Sequence, residues 1–404
     1  MSVPEVGAEV RGTVELACGG CPESVILILQ GASPDEKPGI IDGFERLRRT
    51  GVVRDLSVFP VFGPDGVERG ESYWRDVIAT AHAQHATLVV FHYYHSPALP
   101  DPRPAIDKLR ALSTHPSIVM TLGDAFLHGY FGRPRVPRSF LQGAEMADLV
   151  TLTSMGALAD HVVKHTNAPI MLLPHGVCQV RFGAPSGCSS LHRSEVDVAF
   201  VGSQNRSRNP LRGYFWAARR RERLITQLAK RHGSRFALFG RGWDHLPCSR
   251  GPIEFQHQVE AVRCARVVFG GLPFSWSRYY ASDRPFIQAT SGIPLIDVAA
   301  PGVDALLRDG EHWVLAREDQ VIEKVDEMLS RSNEELSAMG QKASEYVYEK
   351  HTLAHRVAAL VENARRQRAM KTGDTRVAPH LPFFHDAVDL EREAPEATRN
   401  WYSR

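Results

Sequence analysis

Short, continuous apolar runs alternate along this chain with segments whose apolar residues recur at helical spacing, and the alternation starts twice. Val25 to Leu29 is one such run, of the kind found in parallel strands that are buried on both faces. In the segment 40–50 that follows, apolar residues fall every three or four positions, which indicates an amphipathic helix. Repeated strand–helix units fold with right-handed crossovers into parallel sheets. The sequence therefore predicts an α/β fold.

The two series can be placed along the chain from these patterns. The first predicts strands at 25–29, 56–62, 88–91, 118–122, 149–153 and 170–173, and helices at 40–50, 73–85, 104–113, 138–147 and 157–165. The second predicts strands at 196–201, 236–239, 267–269, 295–297 and 312–316, and helices at 214–231, 255–264, 303–308, 320–329 and 334–368. Each series is long enough for one Rossmann-like domain.

A segment rich in Gly, Ser and Pro, 181–194, separates the two series and is expected to be a linker. We therefore expect an N-terminal Rossmann-like domain at 1–180 and a C-terminal Rossmann-like domain at 195–368. The tail 369–404 is polar but keeps aromatic residues, which are unusual in a disordered segment. We expect this tail to pack back on the first domain.

Composition argues against several classes of protein. The 404 residues carry a formal charge of +2, which creates no general field for nucleic acid or an anionic membrane. No apolar run is long enough to span a membrane, and the N-terminus lacks the pattern of a signal peptide. Six scattered cysteines fit a reducing compartment, so we expect a cytoplasmic location. A zinc site built on Cys18 and Cys21 would need a second pair of ligands at suitable spacing, and the sequence has none. We therefore predict no metal site.

Seven arginines stand between positions 206 and 223, with Glu222 as the only acidic residue among them. The simpler interpretation is a solvated face of the helix predicted at 214–231. The alternative is a binding site for a polyanion such as DNA. We take the solvated face as the expectation.

The segment 275–292 bears most directly on function. It lies between apolar runs at 266–270 and 293–297, an order that predicts a strand, a polar and aromatic loop, a short helix and a second strand. Such a loop lies at the carboxyl ends of parallel strands, where open α/β sheets bind ligands. Arg278 and Arg284 flank the start of the helix, and guanidinium groups and free backbone amides both favour anions. The segment therefore suits a diphosphate and predicts a nucleotide-sugar ligand, although Arg284 could instead be a structural ion-pair partner of Asp283 or another carboxylate.

Five motifs in the second half resemble, in order and spacing, the group 1 glycosyltransferases of the spore-maturation-protein (CgeB-like) type. They are residues 198–203, 239–243, 282–286, 301–311 and 351–356, and the resemblance covers about residues 195 to 365. It implies the GT-B fold, in which two Rossmann-like domains with parallel sheets face a central cleft. The first domain would then bind the acceptor and the second the nucleotide-sugar donor.

The resemblance also implies an activity. The enzyme would be a hexosyl- or pentosyl-transferase that moves a sugar from a nucleoside-diphosphate-sugar to a hydroxyl acceptor, with a retaining outcome. Enzymes of this kind usually need no metal, because cationic side chains and a helix N-terminus take the charge of the departing nucleotide. We therefore expect no cofactor beyond the nucleotide-sugar co-substrate, and no metal.

Carried over to this chain, the resemblance assigns roles to residues at the strand ends of the second series. Gly202 and Ser203 would lie under the donor diphosphate, with Arg284 facing it. Arg278 joins them as a diphosphate-binding candidate from its place in the loop. The residues predicted to bind the nucleoside are Gly240, Arg241, Gly242, Trp243 and Asp283.

One position departs from the family pattern. Members commonly carry a Glu directly after the aromatic residue of the Arg-x-Phe/Tyr element, and related enzymes use it on the donor ribose. Ile287 stands there, and Tyr280 stands at the acidic position of some relatives seven residues earlier. Isoleucine cannot accept a hydrogen bond from a ribose hydroxyl. Either Asp283 or Glu260 takes the role, or the donor is held differently, or activity is lost.

Candidates for the chemistry at the acceptor follow strands of the first series. Asp124 is either a general base or acceptor-binding group, or the N-cap of the next segment. His92 and His95 are either bases that work near neutral pH or structural residues. Tyr93 and Tyr94 would stack on a sugar or base, or cover the edge of the sheet.

Four other positions are candidates for the cleft or for metal binding. His175, in a Pro-His-Gly-Val turn, would touch the donor across the cleft or fix the turn, and Tyr280 is a further cleft candidate. His351 and His355 would share a face of the helix predicted at 334–368. No zinc motif surrounds that pair, and we expect it to pack in the core.

Three functions are consistent with these patterns. The first is the glycosyltransferase just described. The second keeps the fold but takes a hydroxylated nucleobase in DNA as the acceptor, which the arginine-rich segment and the tyrosine pair would favour. The third is a nucleotide-binding protein of the same fold without activity, which Ile287 would favour.

Overall fold

The computed structural model describes residues 21–65, 67, 69–123, 134–183, 195–204 and 209–371. These residues form two compact units. The first contains residues 21–123, 135–173 and 353–371, and the second contains 174–352 apart from the gaps just given. Cys18, Asp124, most of the expected linker and nearly all of the expected tail lie outside the described residues.

The first unit is built on a six-stranded parallel sheet with the strand order β2-β1-β3-β4-β5-β6. Its strands are β1 (Glu23–Leu29), β2 (Val53–Pro60), β3 (Leu88–His92), β4 (Ser117–Leu122), β5 (Leu149–Leu152) and β6 (Ile170–Leu172). The helices between them are α1 (Pro38–Arg49), α2 (Gly70–Ala83), α3 (Arg103–Arg110), α4 (Arg138–Glu145) and α5 (Ala157–Val162). All seven residues of β1 are buried, as expected of a central strand covered on both faces.

The second unit repeats the arrangement with the strand order β12-β11-β10-β7-β8-β9. Its strands are β7 (Val196–Val201), β8 (Phe236–Phe239), β9 (Ser249–Gly251), β10 (Ala265–Phe269), β11 (Leu295–Val298) and β12 (Val314–Ala316). Its helices are α6 (Gly213–His232), α7 (Gln258–Val262), α8 (Asp283–Ala289), α9 (Val321–Leu329) and α10 (Asn333–Lys350). The expected α/β fold with two Rossmann-like domains is therefore confirmed.

A last helix, α11 (Leu353–Lys371), returns the chain to the first unit. It packs against α1, where a Cβ added at Gly43 would lie 2.9 Å from Val357 Cγ2. Leu360 and Ala364 join the core of the first unit, together with Val25 and Phe44. The sequence pattern placed residues up to 368 with the second domain, but the apolar face of α11 is buried in the first.

The single helix expected at 334–368 is wrong, because α10 ends at Lys350 and α11 begins at Leu353. Between them, the His351 carbonyl accepts a hydrogen bond from Val177 N at 2.9 Å, and Val177 and Thr352 form a parallel bridge. His351 caps α10 and His355 lies on α11, so the two histidines do not share one helix face. His351 is fully buried and stacks on Phe286, with ring centroids 5.0 Å apart.

Two smaller differences have clear local reasons. The strand β9 was missed, because Ser249–Gly251 is short and polar and so lacks an apolar signal. The helix expected at 303–308 is reduced to a single 3-10 turn over Val303–Ala305. Within the part of the chain that the structure describes, no helix is both long and apolar enough to cross a membrane.

Candidate functional site

The strand order of the second sheet creates a point where consecutive connections leave in opposite directions. From β7 the chain moves outward through β8 and β9, and it then returns to the other side of β7 through β10, β11 and β12. The crevice beyond the carboxyl ends of the strands at such a switch point is where open α/β sheets bind ligands. Here the switch lies between Gly202, which follows β7, and Gly270 and Gly271, which follow β10.

Arg284, in the first turn of α8, lies at this switch point. Its Nη1 donates to the Gly270 carbonyl at 3.3 Å, and its guanidinium carbon lies 5.7 Å from the centre of the Phe200 ring. A Cβ added at Gly202 would lie 2.9 Å from Phe200 Cζ and 3.3 Å from Arg284 Nη2, so the glycine lets both side chains pack against the end of β7. Asp283 makes no salt bridge with Arg284, so the alternative of a local ion pair between them is not realised.

Arg221, on α6, is the second arginine at the switch point. It is only 4% exposed, and a Cβ added at Gly271 would lie 3.5 Å from Arg221 Cδ. Its Nη2 donates to the Tyr214 hydroxyl at 3.4 Å, and within the described residues no carboxylate forms an ion pair with it. Burial lowers the pKa of Arg221 to about 10, and repulsion from Arg284 acts in the same direction, so Arg221 stays charged at neutral pH.

The expectation that the arginine-rich segment forms a solvated helix face is therefore wrong for two of its arginines. Arg221 is buried, and Arg220 has a side chain only 13% exposed. Sequence reasoning missed Arg221, although helical spacing carried a signal for it. It lies four residues after Ala217 and four before Ile225, and both of these are buried. Among the described residues of the segment, Arg219 and Arg223 are exposed and lie close to the carboxylates of Glu222 and Glu318.

Arg220 and Asp297 hold the loop that follows β10. Arg220 Nη2 donates to the carbonyls of Leu272 and Pro273 at 2.8 and 2.7 Å, and its Nη1 donates to the Ser275 hydroxyl. Asp297, on β11, is fully buried, and its Oδ1 accepts from the Leu272 amide at 2.7 Å. Burial raises the pKa of Asp297 to about 6, against the lowering effect of backbone amides, Arg284 and Arg220. Sequence reasoning missed Asp297, although a carboxylate inside an apolar strand was a visible signal.

The residues predicted to bind the nucleoside fall into two groups. Trp243 is 1% exposed, and its Nε1 donates to the Gly202 carbonyl at 2.7 Å, so its polar atom is used within the fold. Gly240 has a φ of 142°, and a Cβ there would lie 2.6 Å from the Gly202 carbonyl carbon and 2.9 Å from Ser203 N. Gly240 and Trp243 thus shape the end of β7. Arg241 and Gly242 are exposed on the loop after β8.

The loop between β10 and α8 is compact. Arg278 Nη2 donates to the Tyr279 hydroxyl at 3.2 Å, and its guanidinium carbon lies 5.0 Å from the centre of that ring. Tyr279 has a φ of 58°, and its amide donates to the Pro301 carbonyl at 2.8 Å. Tyr280 is 1% exposed and packs edge-on against Phe274, so its side chain is part of the core of the loop.

No carboxylate replaces the expected ribose-binding Glu at its own position. Ile287 is 2% exposed and lies in the buried part of α8. Glu260 forms a salt bridge of 2.9 Å with Arg263 and has a side chain 76% exposed. Asp283 is half-buried at the first residue of α8. Of the two alternatives named from the sequence, Asp283 is the one next to Arg284.

The first sheet has a switch point of its own, between β1 and β3. His95 N and Ser96 N both donate to Gln30 Oε1, at 2.9 and 3.0 Å, which ties the loop after β3 to the end of β1. His92 is buried and packs against Tyr93, with ring centroids 4.2 Å apart and ring planes tilted by 34°. Gln30 was missed from the sequence, since it carries no motif.

The remaining candidates near this edge have different surroundings. A Cβ added at Gly123 would lie 3.0 Å from His95 Cε1, which places His95 at the end of β4 as well. Tyr93 is half-buried with a φ of 54°, and its amide donates to Thr121 Oγ1 at 2.7 Å. Tyr94 is fully buried and donates its hydroxyl to the Pro100 carbonyl at 3.1 Å, as a packing residue does. The predicted base Asp124 lies outside the described residues.

His175 is half-buried and belongs to the second unit. Its neighbour Gly176 approaches the end of α10 so closely that a Cβ there would lie 2.6 Å from the His351 carbonyl oxygen. The turn that carries His175 is thus fixed by backbone packing. Among the described residues, no group of three or more His, Cys, Asp or Glu side chains could hold a metal ion.

Comparisons with known proteins agree with this architecture. Residues 219–362 match the model of the family described as "Glycosyl transferase-like". A search of curated proteins finds no match. The chain is similar in structure to a glycosyltransferase from Rickettsia africae, with a TM-score of 0.57 and 11% identity over 86% of this chain and 99% of the other.

Two further solved structures are similar to a comparable extent. For sucrose-phosphate synthase from Thermosynechococcus elongatus the TM-score is 0.54, with 13% identity over 86% of this chain and 100% of the other. For the UDP-forming alpha,alpha-trehalose-phosphate synthase from Burkholderia vietnamiensis the TM-score is 0.51, with 14% identity over 87% of this chain and 99% of the other. At these identities the likeness shows the fold, two Rossmann-like domains of the GT-B kind.

Proposed function

We propose that this protein is a group 1 glycosyltransferase that takes its sugar from a nucleoside-diphosphate-sugar donor. The observation that carries the proposal is the pair Arg221 and Arg284 at the switch point of the second sheet. Neither guanidinium forms an ion pair with a carboxylate of the described residues, and Arg221 is 4% exposed. A buried cation without a counter-charge is costly, and an anionic ligand would compensate for it. The match of residues 219–362 to a glycosyltransferase-like family supports the same activity.

The two arginines suit the diphosphate of such a donor. Guanidinium groups bind phosphate oxygens through pairs of parallel hydrogen bonds, which fix both the position and the charge of the ligand. During sugar transfer, negative charge develops on the departing diphosphate, and cations already in place stabilise it.

The finer parts of the proposal concern the reaction and the acceptor. Because Arg221 and Arg284 can balance the leaving diphosphate, we expect transfer without a metal, and activity that persists in EDTA would agree with this. A retaining outcome, the CgeB-like subtype and a cytoplasmic location stay predictions. His92 and His95 are our candidates for the acceptor side, because the switch point of the first sheet brings them together with Gln30. Asp124 remains a prediction.

The alternative of a protein that binds nucleotide without transferring sugar rests on Ile287. This residue is buried and apolar where related enzymes place a ribose-binding Glu. Asp283, beside Arg284, would have to supply that interaction in an active enzyme. Release of free sugar from a donor, or its transfer to an acceptor, separates the two functions, because a silent binding protein would produce neither.

Binding of UDP, GDP and ADP to the purified protein tests the proposal. We expect one of them to bind with a dissociation constant in the micromolar range, and a donor that carries the same nucleotide to raise the unfolding temperature. Arg284→Met and Arg221→Met should each weaken that binding at least tenfold. Arg235→Met is the matched control, because Arg235 is exposed at the amino end of β8, the opposite edge of the sheet, and should have a much smaller effect. If no nucleotide binds, the proposed function is rejected.

A further inference from the structure

The switch point of the second sheet contains a buried carboxylate that faces the loop carrying the arginine contacts. Asp297 is 0% exposed, and its Oδ1 accepts two hydrogen bonds of 2.7 Å, from the amides of Leu272 and Val298. Its Oδ2 is buried and has no hydrogen-bond partner within the described residues. A Cβ added at Gly270 would overlap this oxygen, so Oδ2 lies directly against the end of β10.

The segment 270–273 contacts Asp297 and also accepts hydrogen bonds from two arginines, Arg284 and Arg220. The Gly270 carbonyl accepts from Arg284 Nη1 at 3.3 Å, and the carbonyls of Leu272 and Pro273 accept from Arg220 Nη2 at 2.8 and 2.7 Å. The amide of Leu272 is at the same time held by Asp297. The carboxylate therefore anchors, through one backbone amide, the segment whose carbonyls orient both guanidinium groups.

We infer that Asp297 is a positioning residue for the anion site, and that its negative charge tunes how strongly Arg284 attracts a diphosphate. The inference rests on the proposed function, because it concerns the same site. It gives Asp297 two separable roles. The hydrogen bond from Leu272 sets the shape of the loop, and the charge sets the electrostatic potential behind the arginines.

The charged groups around Asp297 are few. Arg284 from α8 and Arg220 from α6 act on it through space. Strand β12 has no ionisable residue, and Arg266 of β10 is held by Asn333 and by the carbonyls of Leu329 and Arg331.

On α9, which also packs against β11, two acidic residues have partners of their own. Asp326 pairs with Arg231, and Glu327 pairs with Lys324. A change in the charge of Asp297 therefore acts mainly on Arg284 and Arg220.

The charge of Asp297 changes within a convenient pH range, since burial raises its pKa to about 6. At pH 8 the carboxylate is charged and opposes an incoming anion, whereas at pH 5 it is mostly neutral. The variant Asp297→Asn keeps an oxygen that can accept from Leu272 but never carries charge. The variant Asp297→Ala removes the acceptor as well.

The test measures the dissociation constant of inorganic pyrophosphate, and of the nucleotide that binds best, at pH 5 and pH 8. The ligand itself titrates in this range, so the measured quantity is the ratio between wild type and variant at each pH. We expect Asp297→Asn to bind roughly fivefold or more tightly than wild type at pH 8, as a unit charge in a partly screened site would produce, and equally at pH 5. Asp297→Ala should bind more weakly than Asp297→Asn at both values. Asp319→Asn, which alters an exposed carboxylate of the same unit, is the control and should leave both ratios at one.

A merely structural role would lower binding in both variants without a dependence on pH. Equal affinities of Asp297→Asn and wild type at pH 8 would overturn the charge role, and binding by Asp297→Ala as tight as by Asp297→Asn would overturn the positioning role. In the wild type, with no substitution, hydrogen exchange of the Leu272 amide should slow when pyrophosphate binds, and exchange that stays constant would count against the inference. If binding is lost in Arg284→Met but the Asp297 variants behave as wild type, the inference fails and the proposed function stands. If wild type binds neither pyrophosphate nor any nucleotide, both are rejected.

Discussion

A buried ion cluster at the start of β1 offers a sharp test of how helix α11 is held in the first unit. Glu23 is 2% exposed and accepts from Arg365 Nε at 3.0 Å, from Arg368 Nη2 at 3.0 Å and from Thr87 Oγ1 at 2.5 Å. Burial alone would raise the pKa of Glu23, but Arg368, Thr87 and Arg365 outweigh it and hold the pKa below its ordinary value. The carboxylate thus joins the first strand to the last helix.

We expect Glu23→Gln to lower the free energy of unfolding of the first unit by about 3 kcal/mol at pH 7. The amide keeps the shape of the carboxyl group but leaves two guanidinium groups without their counter-charge. Removing one partner of a buried pair costs about 3–5 kcal/mol. The lower end applies because the side chain of Arg368 is 35% exposed, although that of Arg365 is only 8% exposed. Native-state hydrogen exchange of the α11 amides in rising urea measures this locally, as a chain of two units requires.

The dependence on pH provides a second check. A depressed folded-state pKa contributes stability above the unfolded value of about 4.3, and this contribution is lost as the pH falls through the folded value. The difference between wild type and Glu23→Gln should therefore shrink below pH 4. Asp55→Asn is the control, because it breaks an exposed pair with Arg54 and should cost less than about 1 kcal/mol. A loss no larger than in this control, or one that persists undiminished at pH 3, would refute the reasoning.

Three further substitutions and one control probe the second unit. Gly240→Ala should destabilise the unit by more than about 2 kcal/mol and abolish nucleotide binding, because its φ is 142° and the new Cβ would lie 2.6 Å from the Gly202 carbonyl carbon. Gly233→Ala is the control, because Gly233 has a φ of 55° but no atom lies within 4 Å of the added Cβ. The difference between the two variants in urea titrations gives the cost of the collision apart from backbone strain. Trp243→Phe removes the hydrogen bond to Gly202 and should cost about 1–3 kcal/mol, read from the same titrations, with a weaker nucleotide affinity. The pKa of Asp297 is about 6 in the folded protein and 3.8 in the unfolded chain, so the protein loses about 3 kcal/mol of stability as the pH rises through this range. In Asp297→Asn the free energy of unfolding should therefore depend less on pH between pH 4 and 8.

Much of the fold could be predicted because burial in parallel sheets leaves local marks in the sequence. The runs at 25–29, 88–91 and 196–201 appear as strands within two residues of their expected limits. The helix expected at 214–231 is observed as Gly213–His232. Each of these segments is specified by its own apolar pattern, so neighbours in the chain suffice to predict it.

The candidate site was predictable only where a motif marked it. The family resemblance implied that Gly202 and Arg284 would both lie at the donor diphosphate, and the structure brings the two residues together. Arg221 was assigned to a solvated face, since charge usually predicts exposure. Its position was decided by which side of α6 packs on the sheet, which depends on residues far away in the chain.

The sequence by itself determined the class of fold, the order of strands and helices, and the presence of arginines beside glycine-rich strand ends. Only the tertiary structure decided which charged side chains are buried away from solvent. Arg221 on α6 and Asp297 on β11 are both buried, and α11 leaves the second unit after residue 352 to complete the core of the first. Local patterns record the free energy of burying apolar side chains in a strand or helix. The desolvation and pairing of charges depend instead on which distant segments meet, and those contacts cannot be predicted from a single sequence.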